Sequence, residues 1–327
     1  MSETAVAERI SGGAHTPQVH DSAHKHVSGE ALYIDDMPEI AGTLSIYVAQ
    51  STQAHARLTG LDLAAVRTAP GVRAVLTPDD IPGENDASPV FGDDPIFAED
   101  EVVYAGQSIF AVAADTVGEA RRAADLAKVS YETLPADLTV ADAMASESFI
   151  FPPSEFLLGE PEDALAASQH RLQGRVAMGG QDHFYLEGHI AYAIPGEDDE
   201  MTVWSSTQHP TEVQHNVAKM LAVPDSAITV KTRRMGGGFG GKESQPSLFA
   251  SIAALGAHVT GRPCKLRLDR DDDMIMTGKR HDFEIAYDVG FDAKGQITGI
   301  TFTHASRFGC SADLSAAVAD RAMCHAD

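Results

Sequence analysis

The segment Arg233-Arg-Met-Gly-Gly-Gly-Phe-Gly-Gly-Lys-Glu243 constrains the fold more than any other stretch of this chain. Five of the six residues from Gly236 to Gly241 are glycine, which opens backbone conformations closed to other residues. It also lets a second group come close to the main chain. Ile228–Arg234 before it reads as a strand, and Pro246–Val259 after it as a helix with proline in its first turn. A glycine-rich passage from strand to helix aims free amides at a helix start, where an anion can settle.

Three readings of the segment compete. Gly236 to Lys242 fits the GxxxxGK of a P-loop. Glu243, however, stands where the magnesium-binding hydroxyl belongs, and its charge would repel phosphates. Gly236, Gly238 and Gly241 fit the GxGxxG of a dinucleotide fold, yet the nearest strand-end acid, Asp269, lies beyond the roughly 20 residues that fold uses. The third reading is a tight structural loop without a ligand. A bare glycine motif favours that one.

Composition removes several function classes. A length of 327 residues predicts about two domains, each able to bury a core. With 48 acidic against 24 basic side chains the net charge is −24, which argues against nucleic-acid binding. A hydrophobic content of 43% excludes wholesale disorder. The sequence holds no membrane-spanning apolar stretch, and its polar beginning lacks the apolar core of a secretory signal. Cys264, Cys310 and Cys324 form no CxxC pair and no zinc spacing, and they are too few for an iron–sulfur cluster. A reducing cytoplasm is the expected compartment.

Along the chain, residues 1–28 read as a flexible leader and 29–145 as a first domain. Strands are predicted at 43–50, 72–76, 109–114 and 129–133, with helices at 62–68 and, capped by Thr116, at 117–129. Residues 78–101 read as a long acidic surface loop. Pro152-Pro153 marks a linker, and a second domain is expected over 155–327. Strands are predicted there at 171–178, 190–194, 201–205, 228–234 and 265–268, and a hairpin at 283–304 turning at Asp292-Ala-Lys-Gly295. Helices are predicted at 211–221, 246–259 and 312–325. The class is mixed α/β, of the α+β kind. Asp269 and Asp271–Asp273 read as a solvated turn after Arg270. His183 and His189 lack the HExxH spacing of a zinc protease, and a GxSxG elbow is absent from the sequence.

Four stretches in order shift the balance for the glycine segment. They are Gly179-Gly-Gln-Asp-His-Phe-Tyr-Leu-Glu187, Ser206-Thr-Gln208, Met235 to Glu243, and Leu268-Asp-Arg-Asp-Asp-Asp-Met274 with Thr277-Gly-Lys-Arg-His281. This series resembles the molybdenum hydroxylase family, and within it the molybdenum-binding large subunits of xanthine dehydrogenases. The likeness extends from about residue 20 to 327. Gly29-Glu-Ala-Leu-Tyr-Ile-Asp-Asp36 and Val103-Tyr-Ala-Gly-Gln107 resemble the family's a/b hammerhead domain. The resemblance therefore implies a hammerhead domain followed by the first part of a molybdopterin-binding domain.

It also implies chemistry. Members hydroxylate an electron-poor carbon at a molybdenum–pyranopterin centre, converting hypoxanthine and xanthine to urate. The electrons leave through 2Fe-2S clusters and FAD to NAD, centres expected here on a small partner subunit of a hetero-oligomer. Gln181 matches the glutamine that hydrogen-bonds an oxygen ligand of molybdenum. Gly238, Phe239 and Gly240 match the loop whose amide approaches that metal, with Phe239 expected to fill space behind it. Glu243 matches the glutamate that contacts the purine, and it tilts the reading away from aldehyde oxidases. The family's large subunits continue well past the position of Asp327, through a substrate-orienting arginine and a late glutamate base. The chain is thus expected to be an N-terminal portion, inactive alone. The alternatives are an aldehyde oxidase-type hydroxylase and a non-catalytic remnant serving assembly.

Overall fold

All seven residues of Ser108–Ala114 are buried, so this strand lies inside a sheet covered on both faces. The computed structural model describes Gly13 and His15–His325. The strands in chain order are β1 (Leu44–Gln50), β2 (Ala56–Asp62), β3 (Val72–Leu76), β4 (Glu101–Val102), β5 (Ser108–Ala114), β6 (Lys128–Thr133), β7 (His170–Met178), β8 (Ile190–Pro195), β9 (Met201–Ser205), β10 (Ile228–Lys231), β11 (Cys264–Arg267), β12 (Phe283–Phe291) and β13 (Ile297–Ser306). The helices are α1 (Ala23–Ser28), α2 (Ala64–Arg67), α3 (Val117–Ala124), α4 (Val140–Ala145), α5 (Pro161–Ala167), α6 (Pro210–Leu221), α7 (Pro246–Thr260), α8 (Arg270–Met276) and α9 (Ser315–Cys324).

Seven strands make one mixed sheet in the order β10-β9-β8-β11-β1-β5-β3. Its two halves come from the two expected domains, joined where β1 runs parallel to β11 with Leu44 opposite Cys264. Alternation along β1 explains the layering. Leu44, Ile46 and Val48 face a core with Phe249, Ile252 and Leu255 of α7, while Tyr47 and Ala49 face Ala120, Ala123 and Ala124 of α3. Helix α7 is buried from Pro246 to Ala257, as a helix apolar on every side must be. It approaches β1 so closely that a Cβ on Gly256 would collide with Ile46. A three-stranded sheet, β4-β2-β6, extends the first-domain half. Another, β13-β12-β7, stands beside the second half and carries α5 against Gly290 and Gly299.

The mixed α/β class is as expected, and four local readings need correction. Residues 1–12 and 14 of the expected leader lie outside the described residues, but Ala23–Ser28 is helical and docked. Arg233 donates to Asp21 at 2.8 Å and Arg234 to Ser22 at 3.0 Å, so two charged partners hold what composition suggested was loose. The acidic 78–101 stretch is irregular yet not all surface. Ile96, Phe97 and Ala98 are buried, because the Asn85 side chain pairs with both backbone groups of Phe97 and turns it inward. Strand β2 and helices α4 and α5 lie where no element was expected. Finally, α3 ends at Ala124, short of the expected 129.

Asp94 lies where the 85–98 stretch meets the turn before α9; its neighbour Asp93 accepts a bond from the Ala312 amide at 2.7 Å. Burial, with Asp313, Asp86 and Asp93 close by, pushes the Asp94 carboxyl up to about 7. The folded protein therefore keeps a proton that the unfolded chain releases near 3.8. Its contribution to stability falls as pH rises from there to about 7. Asp94→Asn is expected to raise the thermal midpoint at about pH 8 and to change it little at about pH 4. Melting curves across that range check this; a shift of equal size throughout would refute it.

Candidate functional site

The glycine segment follows β10 and turns through left-handed backbone at Gly237, Phe239 and Gly240, with φ of 99°, 54° and 95°. For Phe239 such a backbone carries strain of about 1 kcal/mol or more. Other glycines are needed for room rather than for conformation. A Cβ on Gly238 would collide with the Gln208 amide, and one on Gly241 with the rings of His183 and Tyr185. The space behind the loop is therefore filled by Gln208, His183 and Tyr185. The Phe239 ring lies over Gly237 and is 64% exposed. That corrects the expectation that Phe239 packs behind the loop, because the left-handed backbone turns its side chain out.

Hydrogen bonds hold the loop along its length. Glu187 Oε2 accepts from the Gly236 amide at 2.8 Å and from Ser206 Oγ at 2.6 Å. Gln208 Oε1 accepts from the Gly240 amide at 2.9 Å, and the Gln208 amide donates to the Lys242 carbonyl at 2.7 Å. The Lys242 side chain is 0% exposed, with its ammonium against the Glu187 carbonyl and Ser206 Oγ. Glu187, Gln208 and Lys242 lie within the sequence motifs, but the sequence alone assigns them no role in holding the loop. A lysine one step from a run of glycines was the available signal.

Beneath the loop lies a buried polar network. Asp273, 2% exposed, accepts from Tyr185 Oη at 2.6 Å and from the His189 amide at 2.6 Å. Burial alone would raise its carboxyl, yet the bonds from His189 and Tyr185 hold it well below the usual carboxylate range. Burial pushes the His189 imidazole down and the Tyr185 phenol up. The expected solvated turn is thus the first turn of α8. Asp269 caps it by accepting from the Asp272 amide at 2.9 Å, and of the three aspartates that follow Arg270 only Asp271 faces solvent. The burial reflects a capped helix whose next turn lies against Tyr185 and His189.

Gln181 is exposed just beyond β7, its carbonyl accepting from the Arg280 amide at 3.1 Å. Two residues on, His183 touches Gly241, so the structure brings the Gln181 segment against the glycine loop. Glu243 is exposed at the far end of that loop, ahead of α7. Its charge, together with that of Asp313, adds to the burial that raises the Glu212 carboxyl on α6. Phe239 and Gly240 are exposed as well, and Gly240, with no side chain, presents its main chain there.

Residues 145–327 match the Molybdopterin cofactor-binding domain, and residues 28–135 match the a/b hammerhead domain of aldehyde oxidase and xanthine dehydrogenase. The chain belongs to the molybdenum hydroxylase family. It is 43% identical over 312 residues to a xanthine dehydrogenase/oxidase of Mus musculus, covering 95% of this chain and 23% of that protein. Aldehyde oxidase 3 of Rattus norvegicus is 40% identical over 309 residues, covering 94% and 23%. An aldehyde oxidoreductase of Desulfovibrio gigas superposes with a TM-score of 0.76 at 26% identity, covering 87% of this chain and 33% of that one. The chain thus spans about a quarter of the length of the curated molybdenum hydroxylases it matches. No helix among the described residues is long and apolar enough to cross a membrane.

Removing the acceptor at the centre of the buried network has a defined consequence. Asp273→Ala strands the His189 amide and leaves the Tyr185 hydroxyl only His189 Nδ1 at 2.9 Å, and is expected to cost about 3 kcal/mol at neutral pH. Because the Asp273 carboxyl is held low, its contribution is present above the unfolded value of 3.8 and is lost as pH falls below it. Denaturant titrations at neutral and acid pH should therefore show the gap between variant and parent narrowing in acid.

Proposed function

We propose that this region serves a xanthine dehydrogenase-type molybdenum hydroxylase acting on hypoxanthine and xanthine. The observation that carries the reading is Glu243, an exposed carboxylate at the end of the glycine loop, one residue past the buried Lys242. When bound, a molybdenum–pterin group supplies an oxygen nucleophile and takes up two electrons. The residues of this chain bind and orient. Gln181 donates its side-chain amide to an oxygen of the group; being neutral, it leaves the charge of the site unchanged. Phe239 and its glycine neighbours Gly238 and Gly240 offer main chain to the same group. Glu243 accepts from a purine ring N–H or, when protonated, donates to a ring carbonyl, and so steadies charge that moves across the ring.

The wider assembly belongs to the same proposal. 2Fe-2S and FAD centres on a small partner subunit would take up the electrons, in a cytoplasmic hetero-oligomer, and turnover would need the further polypeptide that the longer relatives contain. An aldehyde oxidase-type hydroxylase is the second reading, favoured by the 40% identity to rat aldehyde oxidase 3.

In a complete enzyme, Glu243→Ala is expected to lower kcat/KM for purines at least about tenfold more than for aldehydes. Steady-state assays on both substrates check it, and equal losses would remove Glu243 as a purine contact. Metal analysis of the purified 327-residue chain is expected to find little molybdenum. Near-stoichiometric molybdopterin would show instead that this region suffices to hold the cofactor.

A further inference from the structure

We propose that Lys242 is a positioning residue: its buried ammonium, paired with Glu187, fixes the glycine loop and sets where Glu243 emerges. The proposal rests on the reading that this loop meets the cofactor, and three sets of observations support it.

The ammonium is saturated. It donates to the Glu187 carbonyl at 2.6 Å, to Ser206 Oγ at 2.8 Å and to the Gly188 carbonyl at 3.3 Å, which accounts for its three N–H groups. The Glu187 carboxylate stands 3.5 Å away, and the Tyr185 ring lies beneath it, with its centroid at 4.6 Å. Packing alone does not call for such a group, since a methionine would fill a similar volume without the desolvation of a buried cation. What the ammonium adds is direction.

Both ends of the loop also meet on the same pair. Glu187 accepts from the amide of Gly236, the first glycine, while Lys242 follows Gly241, the last. One salt bridge therefore spans the loop, and Gln208 pins its middle at the Gly240 amide. Five glycines have no side chains with which to hold themselves in place; besides the turn bond from the Gly241 amide to the Gly238 carbonyl at 2.8 Å, these three neighbours restrain them.

The main chain of Lys242 is fixed as well, its carbonyl accepting from the Gln208 amide at 2.7 Å. With both its side chain and its carbonyl held, the exposed Glu243 leaves from a rigid point.

The test compares Lys242→Met, Glu187→Gln and Lys242→Arg. Hydrogen exchange on this chain is expected to show the amides of 236–242 exchanging at least about tenfold faster in Lys242→Met, with β5 amides unchanged. Glu187→Gln keeps an acceptor for Gly236 but loses the charge, and should give a smaller rise. Lys242→Arg is too large for the three-acceptor pocket and should not restore protection. If Lys242→Met does not fold, Glu187→Gln carries the same test. Equal acceleration in the loop and in β5, or none in the loop, would overturn the proposal. In a complete enzyme, Lys242→Met should lower kcat for both substrates, and more for purines because Glu243 shifts with the loop. Unchanged turnover of purines would contradict it. Loop exchange is read without substrate, so a failed purine assignment leaves this result standing on its own.

Discussion

The parallel pairing of β1 with β11 is the contact on which the remaining architecture depends. Three residues from each strand, Leu44–Ile46 and Cys264–Leu266, join a hammerhead half to a cofactor-binding half in one continuous sheet. Because the sheet is continuous, α7 can lie under strands of both halves. The glycine loop leads into that helix and the capped turn of α8 follows β11. Both sides of the candidate site are therefore carried by elements fixed to the same seam. This explains how a loop of glycines can be placed accurately on a scaffold whose parts come from distant stretches of sequence.

At the site itself, room and order compete. Glycines give the loop space to lie against Gln208, His183 and Tyr185, but they also remove every side chain that might restrain it. Charged and polar neighbours restore the restraint: Glu187 at the start, Gln208 in the middle, Lys242 at the end. Below them, Asp273 ties Tyr185 to His189, so that the floor of the loop is held by hydrogen bonds rather than by apolar packing alone. Buried polar groups of this kind are stabilising only when nearly all are satisfied. The network has gaps at His189 Nε2 and Glu187 Oε1, both without a partner among the described residues. The floor therefore carries some unrelieved desolvation.

Much of this was legible from periodicity. Strands β1, β5 and β8 and helices α6 and α7 announce themselves through alternation, apolar spacing, and proline or threonine at the helix starts. The family resemblance likewise rested on motifs that fold into neighbouring segments around the loop. What escaped detection shares a physical cause. Lys242, Asp272 and Asp273 are charged residues that composition places in water, and only tertiary partners make their burial tolerable. Phe97 was hidden in an acidic stretch because a single side chain, Asn85, turns it inward. Strand β2 was missed because its pairing with β6 shifts register between Leu58 and Gly60, which interrupts the alternation that marks a strand. The outward ring of Phe239 follows from a backbone angle that side-chain type does not reveal.

Strand β11 has a consequence for how the chain is made. It lies between β8 and β1, pairing with each. During synthesis, β1 emerges early and must wait for Cys264–Arg267 before its open edge is covered; β8 waits for the same four residues. An uncovered strand edge is a template for pairing with other chains, and contacts between distant parts of a sequence form slowly. The late, short β11 thus closes two exposed edges in one event. Until it arrives, the nascent chain has two open edges and, in α7, a helix with no polar face to turn toward water.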